Sequence, residues 1–248
     1  MSSDGGPSCE ELDIGLRLVL FDGFGTTLHL DKPFERLREN LRAQGFELSV
    51  EAAEVAFKEE MAFYRERMNE ASDEEKLADL RLACAERLSE SLARQGHTIS
   101  LSGQEMRDVM MDSISFAVFP DVEEAIDWCR RLGLVVGVLS NWDCSLPDTL
   151  ERTGLMEHLD FAVVSAAAGV AKPNQEIFHL ALEQVGAPGD RAVYIGDEWE
   201  EDVQAALQAG LHAVLLDREN QHANCPCARI TSLEELPHAL AQIPEEAA

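Results

Sequence analysis

The sequence predicts an α/β protein in which a doubly wound parallel sheet is interrupted once by an all-helical insertion. Three observations carry this. Short β-branched apolar runs end in small or polar residues, amphipathic helical patterns alternate with them, and one long stretch after the first run is helical throughout.

The first predicted strand covers residues 16–22, and further strands cover 134–140, 161–165, 192–196 and 212–216. Their near-continuous apolar character suits strands buried on both faces, as in a parallel sheet. Helices are expected over 122–132, 145–153, 175–185 and 200–209. Gly133, Gly154 and Gly210 stand where three helices should end, and Asp121 after Pro120 should cap the helix from Val122. In such a sheet, ligands sit at the carboxyl ends of the strands.

The alternation stops between Pro33 and Ser115. Helical patterns run over 34–44, 50–68 and 76–94, with Gly45 and Gly96 as punctuation and no convincing strand. The expected organisation is a core domain of 12–32 and 116–243 with a helical cap domain of 33–115. Residues 1–10 and 244–248 are expected to fray.

Composition narrows the function. The formal charge is −27, from 47 acidic and 20 basic residues, and this repels nucleic-acid backbones. No apolar run is long enough for a membrane span, and the amino terminus lacks signal-peptide character. The expectation is a cytoplasmic protein, monomer or homodimer, with no nucleic-acid or membrane partner. Cys9, Cys84, Cys129, Cys144, Cys225 and Cys227 show no metal-ligand spacing and read as reduced structural thiols.

Four segments place polar groups just past predicted strands. Asp22 is followed by Gly23-Phe24-Gly25-Thr26-Thr27, a turn that could present its carboxylate or merely be capped by it. Ser140-Asn141 could hold an anionic oxygen, although alone it is ordinary turn chemistry. Lys172 precedes Pro173, which favours an extended segment able to direct the ammonium inward. Gly196-Asp197 is followed by Glu198, Glu200, Glu201 and Asp202. That cluster suits a helix amino terminus, but beside Asp22 its carboxylates would repel without a cation, and an oxygen-only ligand set suits Mg²⁺.

Taken in order, Asp22 with Gly25-Thr26, Ser140, Lys172-Pro173 and Gly196-Asp197 with Asp202 resemble the four motifs of the haloacid-dehalogenase-like (HAD) hydrolase superfamily. The resemblance runs from about Leu16 to Leu216, with the insertion in the place of the small helical cap of the C1 type. It implies that Asp22 is a nucleophile forming a covalent aspartyl intermediate, and that Ser140, Asn141 and Lys172 contact phosphate. It also implies that Mg²⁺ is held by Asp22, the Phe24 backbone carbonyl, Asp197 and Asp202. The implied substrate is a small anionic molecule.

The chain departs from the pattern at Phe24, where the family's phosphatases carry an acid–base Asp. Losing such a group costs ~10²–10⁴-fold in rate. An aromatic residue there resembles the 2-haloacid dehalogenases, which attack carbon, but those lack the metal motif kept here. Mg²⁺-dependent phosphatase-type chemistry is the leading expectation. Dehalogenation and a low-turnover, metal- or phosphate-binding regulatory protein are the alternatives. In the insertion, Phe57, Met61 and Tyr64 are expected to pack the cap's own core with Arg65 and Arg67 solvated, although Arg65 could instead steer an anion. Trp142 and Trp199 could wall the cleft, and His29 reads as a turn residue.

Overall fold

The computed structural model describes residues 15–222 and 225–243. Cys9, the expected frayed ends and the first residues assigned to the core domain lie outside the described residues. Six strands form one sheet: β1 (Leu18–Phe21), β4 (Val135–Ser140), β5 (Phe161–Val164), β6 (Ala192–Gly196), β7 (His212–Leu216) and β8 (Ala228–Ile230). The order is β5-β4-β1-β6-β7-β8, with every pairing parallel. Two short strands, β2 (Leu28–Leu30) and β3 (Phe116–Val118), form a separate antiparallel pair.

Alternate residues of each strand face opposite sides. Val19 and Phe21 enter one apolar layer with Val122 and Ile126 of α5 (Val122–Arg131), Leu150 of α6 (Leu146–Arg152) and Leu240 of α10 (Leu236–Leu240). Leu18 and Leu20 enter the other with Ile177 and Phe178 of α8 (Glu176–Val185) and Ala206 of α9 (Ala205–Gln208). A short helix, α7 (Ser165–Ala168), follows β5. The chain leaves β1 for β4 and β5 on one side, then returns to β6 on the other. The carboxyl ends of β4, β1 and β6 therefore converge where the winding reverses, which is the ligand-binding edge of such sheets.

Between β2 and β3 lie α1 (Pro33–Ala43), α2 (Val50–Arg67), α3 (Glu74–Arg94) and α4 (Gly103–Ser113). Leu37, Leu41, Phe57, Leu88, Leu92 and Met106 bury an apolar cluster among these helices. Ser49, Asp73 and Ser102 cap α2, α3 and α4 by accepting hydrogen bonds from backbone N–H groups.

Several local expectations need correction. Asp121 makes no cap hydrogen bond at α5. Its carboxylate is taken by a fork from Arg218 at 2.9 Å and by the Leu233 N–H, also at 2.9 Å. A bidentate guanidinium is the stronger partner. His29 is a strand residue in β2, with its ring 4.6 Å from that of Phe119. Lys172 lies in a turn, and its peptide bond to Pro173 is cis, so the segment is not the extended run anticipated. The helix expected over 200–209 begins instead as a π-helical turn, Trp199–Gln204, before α9.

Candidate active site

The turn after β1 is shaped by its own backbone bonds. The Asp22 N–H donates to Ile195 O at 2.8 Å, and the Thr27 and Leu28 N–H groups return to Gly23 O at 2.9 and 2.8 Å. The Thr27 hydroxyl adds bonds to the carbonyls of Asp22 and Gly23, both at 2.9 Å. The turn needs glycine for two reasons. Gly25 has φ +92°, and a Cβ there would fall 2.1 Å from Asp197 Oδ2. A Cβ on Gly23 would fall 2.8 Å from Ser140 Oγ. The small residues let three strand ends close on one point.

Lys172 is the hub of that point. Its buried ammonium donates to Asp22 Oδ1 and Asp202 Oδ1, each at 2.5 Å, and to the Tyr194 hydroxyl at 2.8 Å. Ser140 Oγ donates to Asp22 Oδ1 at 3.1 Å, and Thr26 Oγ1 to Asp197 Oδ1 at 3.2 Å. Asn141 is committed to positioning Lys172. Its Oδ1 accepts from the Lys172 N–H at 2.8 Å, and its Nδ2 donates to Lys172 O at 3.0 Å. Asp202 is almost fully buried and also accepts from the Glu198 N–H at 3.0 Å. It fits only because Gly196 has no side chain, since a Cβ there would fall 2.3 Å from Asp202 Oδ2.

Asp22, Asp197 and Asp202 each offer a carboxylate oxygen, and these oxygens lie within 4.8 Å of one another. The Lys172 ammonium pairs with two of the three. Burial pushes the Asp22 carboxyl up to about 6, with Lys172 pulling against it and Asp202 adding to the rise. Burial, then Asp22 and Asp202, push Asp197 up to about 7. Burial opposes the charge on Lys172, but Asp202 and Asp22 outweigh it and raise its pKa above the ordinary range. The surplus negative charge in an oxygen-only donor set fits a hard divalent cation.

These strand ends open into a cavity of about 760 Å³ whose roof is the helical insertion. Phe24 lines it beside Asp22, and the Arg65 guanidinium lies 5.8 Å from the Phe24 ring centroid. Trp142 and Trp199 both line this space, as their positions suggested. Phe57 packs the insertion's own cluster as expected, yet with Met61, Tyr64 and Arg65 it also faces the cavity. Arg67 stacks over Phe63 at 4.0 Å. Tyr64 donates to Asp143 Oδ2 at 2.8 Å, tying α2 to the segment after β4, and the Cys144 N–H bonds Ala71 O at 3.0 Å.

Two buried polar groups escaped sequence reasoning. Tyr194 interrupts the apolar run of β6, and its hydroxyl donates to Leu139 O at 2.9 Å while accepting from Lys172. Glu60 lies on the apolar stripe of α2, at helical spacing from Phe57 and Tyr64. In both cases the visible signal was a polar residue at a core position.

A protein-family model, haloacid dehalogenase-like hydrolase, matches residues 16–210. The chain belongs to the haloacid dehalogenase-like hydrolases. Among curated relatives it is 40% identical over 102 residues to haloacid dehalogenase-like hydrolase domain-containing protein 3 of Xenopus laevis, covering 41% of this chain and 42% of that one. It is 39% identical over 110 residues to the pyrimidine 5'-nucleotidase YjjG of Escherichia coli K12, covering 42% and 49%. The chain spans about half the length of the curated relatives it matches. Its fold is similar to that of the HAD-hydrolase YfnB from Bacillus subtilis bound to magnesium, with TM-score 0.68, 20% identity and coverage of 91% and 98%. No helix among the described residues is long and apolar enough to cross a membrane.

Proposed function

We propose that this hydrolase cleaves small phosphate esters in the cytoplasm through a covalent intermediate on Asp22. The observation that carries the reading is the gathering of Asp22, Asp197 and Asp202 at the strand ends, where the Lys172 ammonium pairs with two of the three carboxylates. A site for halide displacement needs one carboxylate, not a cluster that demands extra positive charge. The relation to a protein named as a pyrimidine 5'-nucleotidase agrees with phosphate chemistry.

An Asp22 carboxylate oxygen attacks phosphorus, and the bond from phosphorus to the leaving oxygen breaks as that oxygen takes a proton from solvent. Water then attacks phosphorus, releasing inorganic phosphate and restoring the carboxylate, with one proton passing to solvent. Ser140 and Lys172 hold Asp22 in place and offer donors to the phosphoryl oxygens. Asn141 acts by fixing the Lys172 backbone. Mg²⁺ would be held by Asp22, the Phe24 carbonyl and Asp197, with Asp202 contributing charge nearby, and would neutralise the phosphoryl group. Residues 33–115 serve as the cap domain over a core of 12–32 and 116–243.

Phe24 favours a second reading, dehalogenation, because it cannot protonate a leaving oxygen. A parallel screen of phosphate esters and 2-haloacids, with and without Mg²⁺, separates the two. Phosphate release abolished by chelation is expected. Halide release that persists in chelator would overturn the phosphatase reading.

A further inference from the structure

The side chain of Glu60 is almost entirely inside the protein, at 3% exposure, and it lines the same cavity as Asp22. Its neighbour Glu59 behaves as a surface acid should, paired with Arg94 and Arg87. Glu60 does not. Among the described residues no Lys, Arg or His pairs with it, and its side-chain partner is the thiol of Cys84, a weak donor. Burying a carboxyl group without a strong donor or counter-charge is costly, and such a group in a cleft is a candidate functional position. Phe57 and Met61 beside it on α2 are apolar and also line the space, as does Met68 just past the end of the helix. Glu60 is thus a buried acceptor among apolar residues of the roof, where the Tyr64 hydroxyl one turn on is already bonded to Asp143.

We infer that Glu60 is a specificity-determining residue, whose carboxyl group accepts a hydrogen bond from an amine, hydroxyl or ring N–H on the organic part of the substrate. The inference rests on the phosphatase reading above, because it takes that organic part to be the leaving group of a phosphate ester bound at Asp22. A ligand without a donor would fill the cavity and leave Glu60 dry beside only Cys84. A site built to bond a polar group rejects the analogue that lacks it far better than an apolar pocket rejects an extra methylene. Burial accordingly pushes the Glu60 carboxyl up to about 7, against the pull of the Cys84 thiol.

The test compares kcat/KM within matched pairs in wild type, Glu60→Gln and Glu60→Leu, with Mg²⁺ present and melting temperature recorded. The pairs are phosphoethanolamine with ethyl phosphate, glycerol 1-phosphate with propyl phosphate, and uridine 5'-monophosphate with its N3-methyl derivative. They identify whether the donor is an amine, a hydroxyl or a ring N–H. Wild type should prefer the donor-bearing member of at least one pair by ~10–100-fold, the range of a hydrogen bond to a charged or strongly polar group. Glu60→Leu should bring that ratio close to one, and Glu60→Gln, which keeps an acceptor oxygen, should lie between. A ratio near one for every pair in wild type, or a ratio unchanged in both variants, overturns the inference. Equal loss on both members of every pair overturns it as well, and indicates proton delivery or a structural role. Failure of wild type to hydrolyse any ester, p-nitrophenyl phosphate included, refutes the phosphatase reading and this inference with it. Turnover that ignores Glu60 refutes only the latter.

Discussion

Glu60→Gln should stabilise the protein, increasingly so as the pH rises. The fold holds the Glu60 carboxyl at about 7, against an ordinary 4.5, because burial disfavours the carboxylate. Below the lower value both states are protonated and the group costs nothing through its proton. Between the two the unfolded chain ionises while the folded one keeps its proton, so stability falls with pH. Above the upper value the loss levels off at about 3 kcal/mol, at ~1.4 kcal/mol per pH unit. Gln keeps the shape and cannot ionise, so the variant escapes this loss. The sequence pI of about 4.4 makes strongly acidic buffers unsuitable. From about pH 5.5 to about pH 8.5, the advantage of the variant should grow by about 2 kcal/mol. For a domain of this size that is roughly 4–8 °C in melting temperature. Comparing the two proteins at each pH cancels the titration of Asp22, Asp197 and every other shared group, while Cys84, Arg65, Arg81 and Asp143 around the cavity are common to both. Denaturant titrations and thermal melts across this range provide the readout. Parallel stability curves, or a variant less stable than wild type at the alkaline end, would refute the reasoning.

Lys172→Met should destabilise the fold by about 3–5 kcal/mol, because it strands two buried carboxylates without their counter-charge. Added Mg²⁺ should recover part of that in thermal melts. Tyr194→Phe removes the hydroxyl between Lys172 and Leu139 O and should cost about 1–3 kcal/mol in urea unfolding, with reduced turnover. Gly25→Ala places a methyl on Asp197 at a backbone angle alanine rarely adopts, so cation binding by calorimetry should weaken more than folding does. Phe24→Asp should raise kcat on poorly activated phosphate esters by up to ~10²–10⁴-fold if the leaving-group acid is the missing component. No gain would mean that another group governs departure.

Five strands of the sheet were legible because each is a mostly apolar run bounded by small or polar residues, and β6 and β7 were placed at their observed limits. β2, β3 and β8 were not, since three residues carry too little periodicity to register. The β2–β3 pair is also non-local, formed by residues on either side of the whole insertion. The motif residues Asp22, Ser140, Lys172, Asp197 and Asp202 were visible as strand-end polar groups, and the structure gathers them. The division of labour among them was not visible. Asn141 looked like an anion donor, but its amide bonds the Lys172 backbone at both ends and Glu201 through its nitrogen, partners thirty-one and sixty residues away. Asp121 was lost to Arg218 for the same reason, a partner distant in sequence outcompeting a local cap. Glu60 was hidden differently. An amphipathic reading of α2 averages over its positions, and one acid on the apolar side does not alter the average.

Phe24 and Glu60 belong to one problem. With aspartate at position 24, this edge of the sheet would hold a fourth carboxylate beside Asp22, Asp197 and Asp202. Phenylalanine there lowers the charge that Lys172 and a cation must offset, and its ring gives Arg65 a surface to lie against. The cost is the loss of a proton donor next to the leaving oxygen. The cavity holds another carboxyl group, on the roof instead of the floor, kept in a dry setting that favours its protonated form. If the leaving group is acidic enough to depart unaided, Glu60 is free to read its identity. If it is not, the same carboxyl is one candidate to supply the proton, beside Glu198, Glu200, Glu201 and His222 of the same cavity. Matched ester pairs separate these roles because recognition depends on the donor that the substrate carries, whereas proton delivery depends on the leaving oxygen that all of them share.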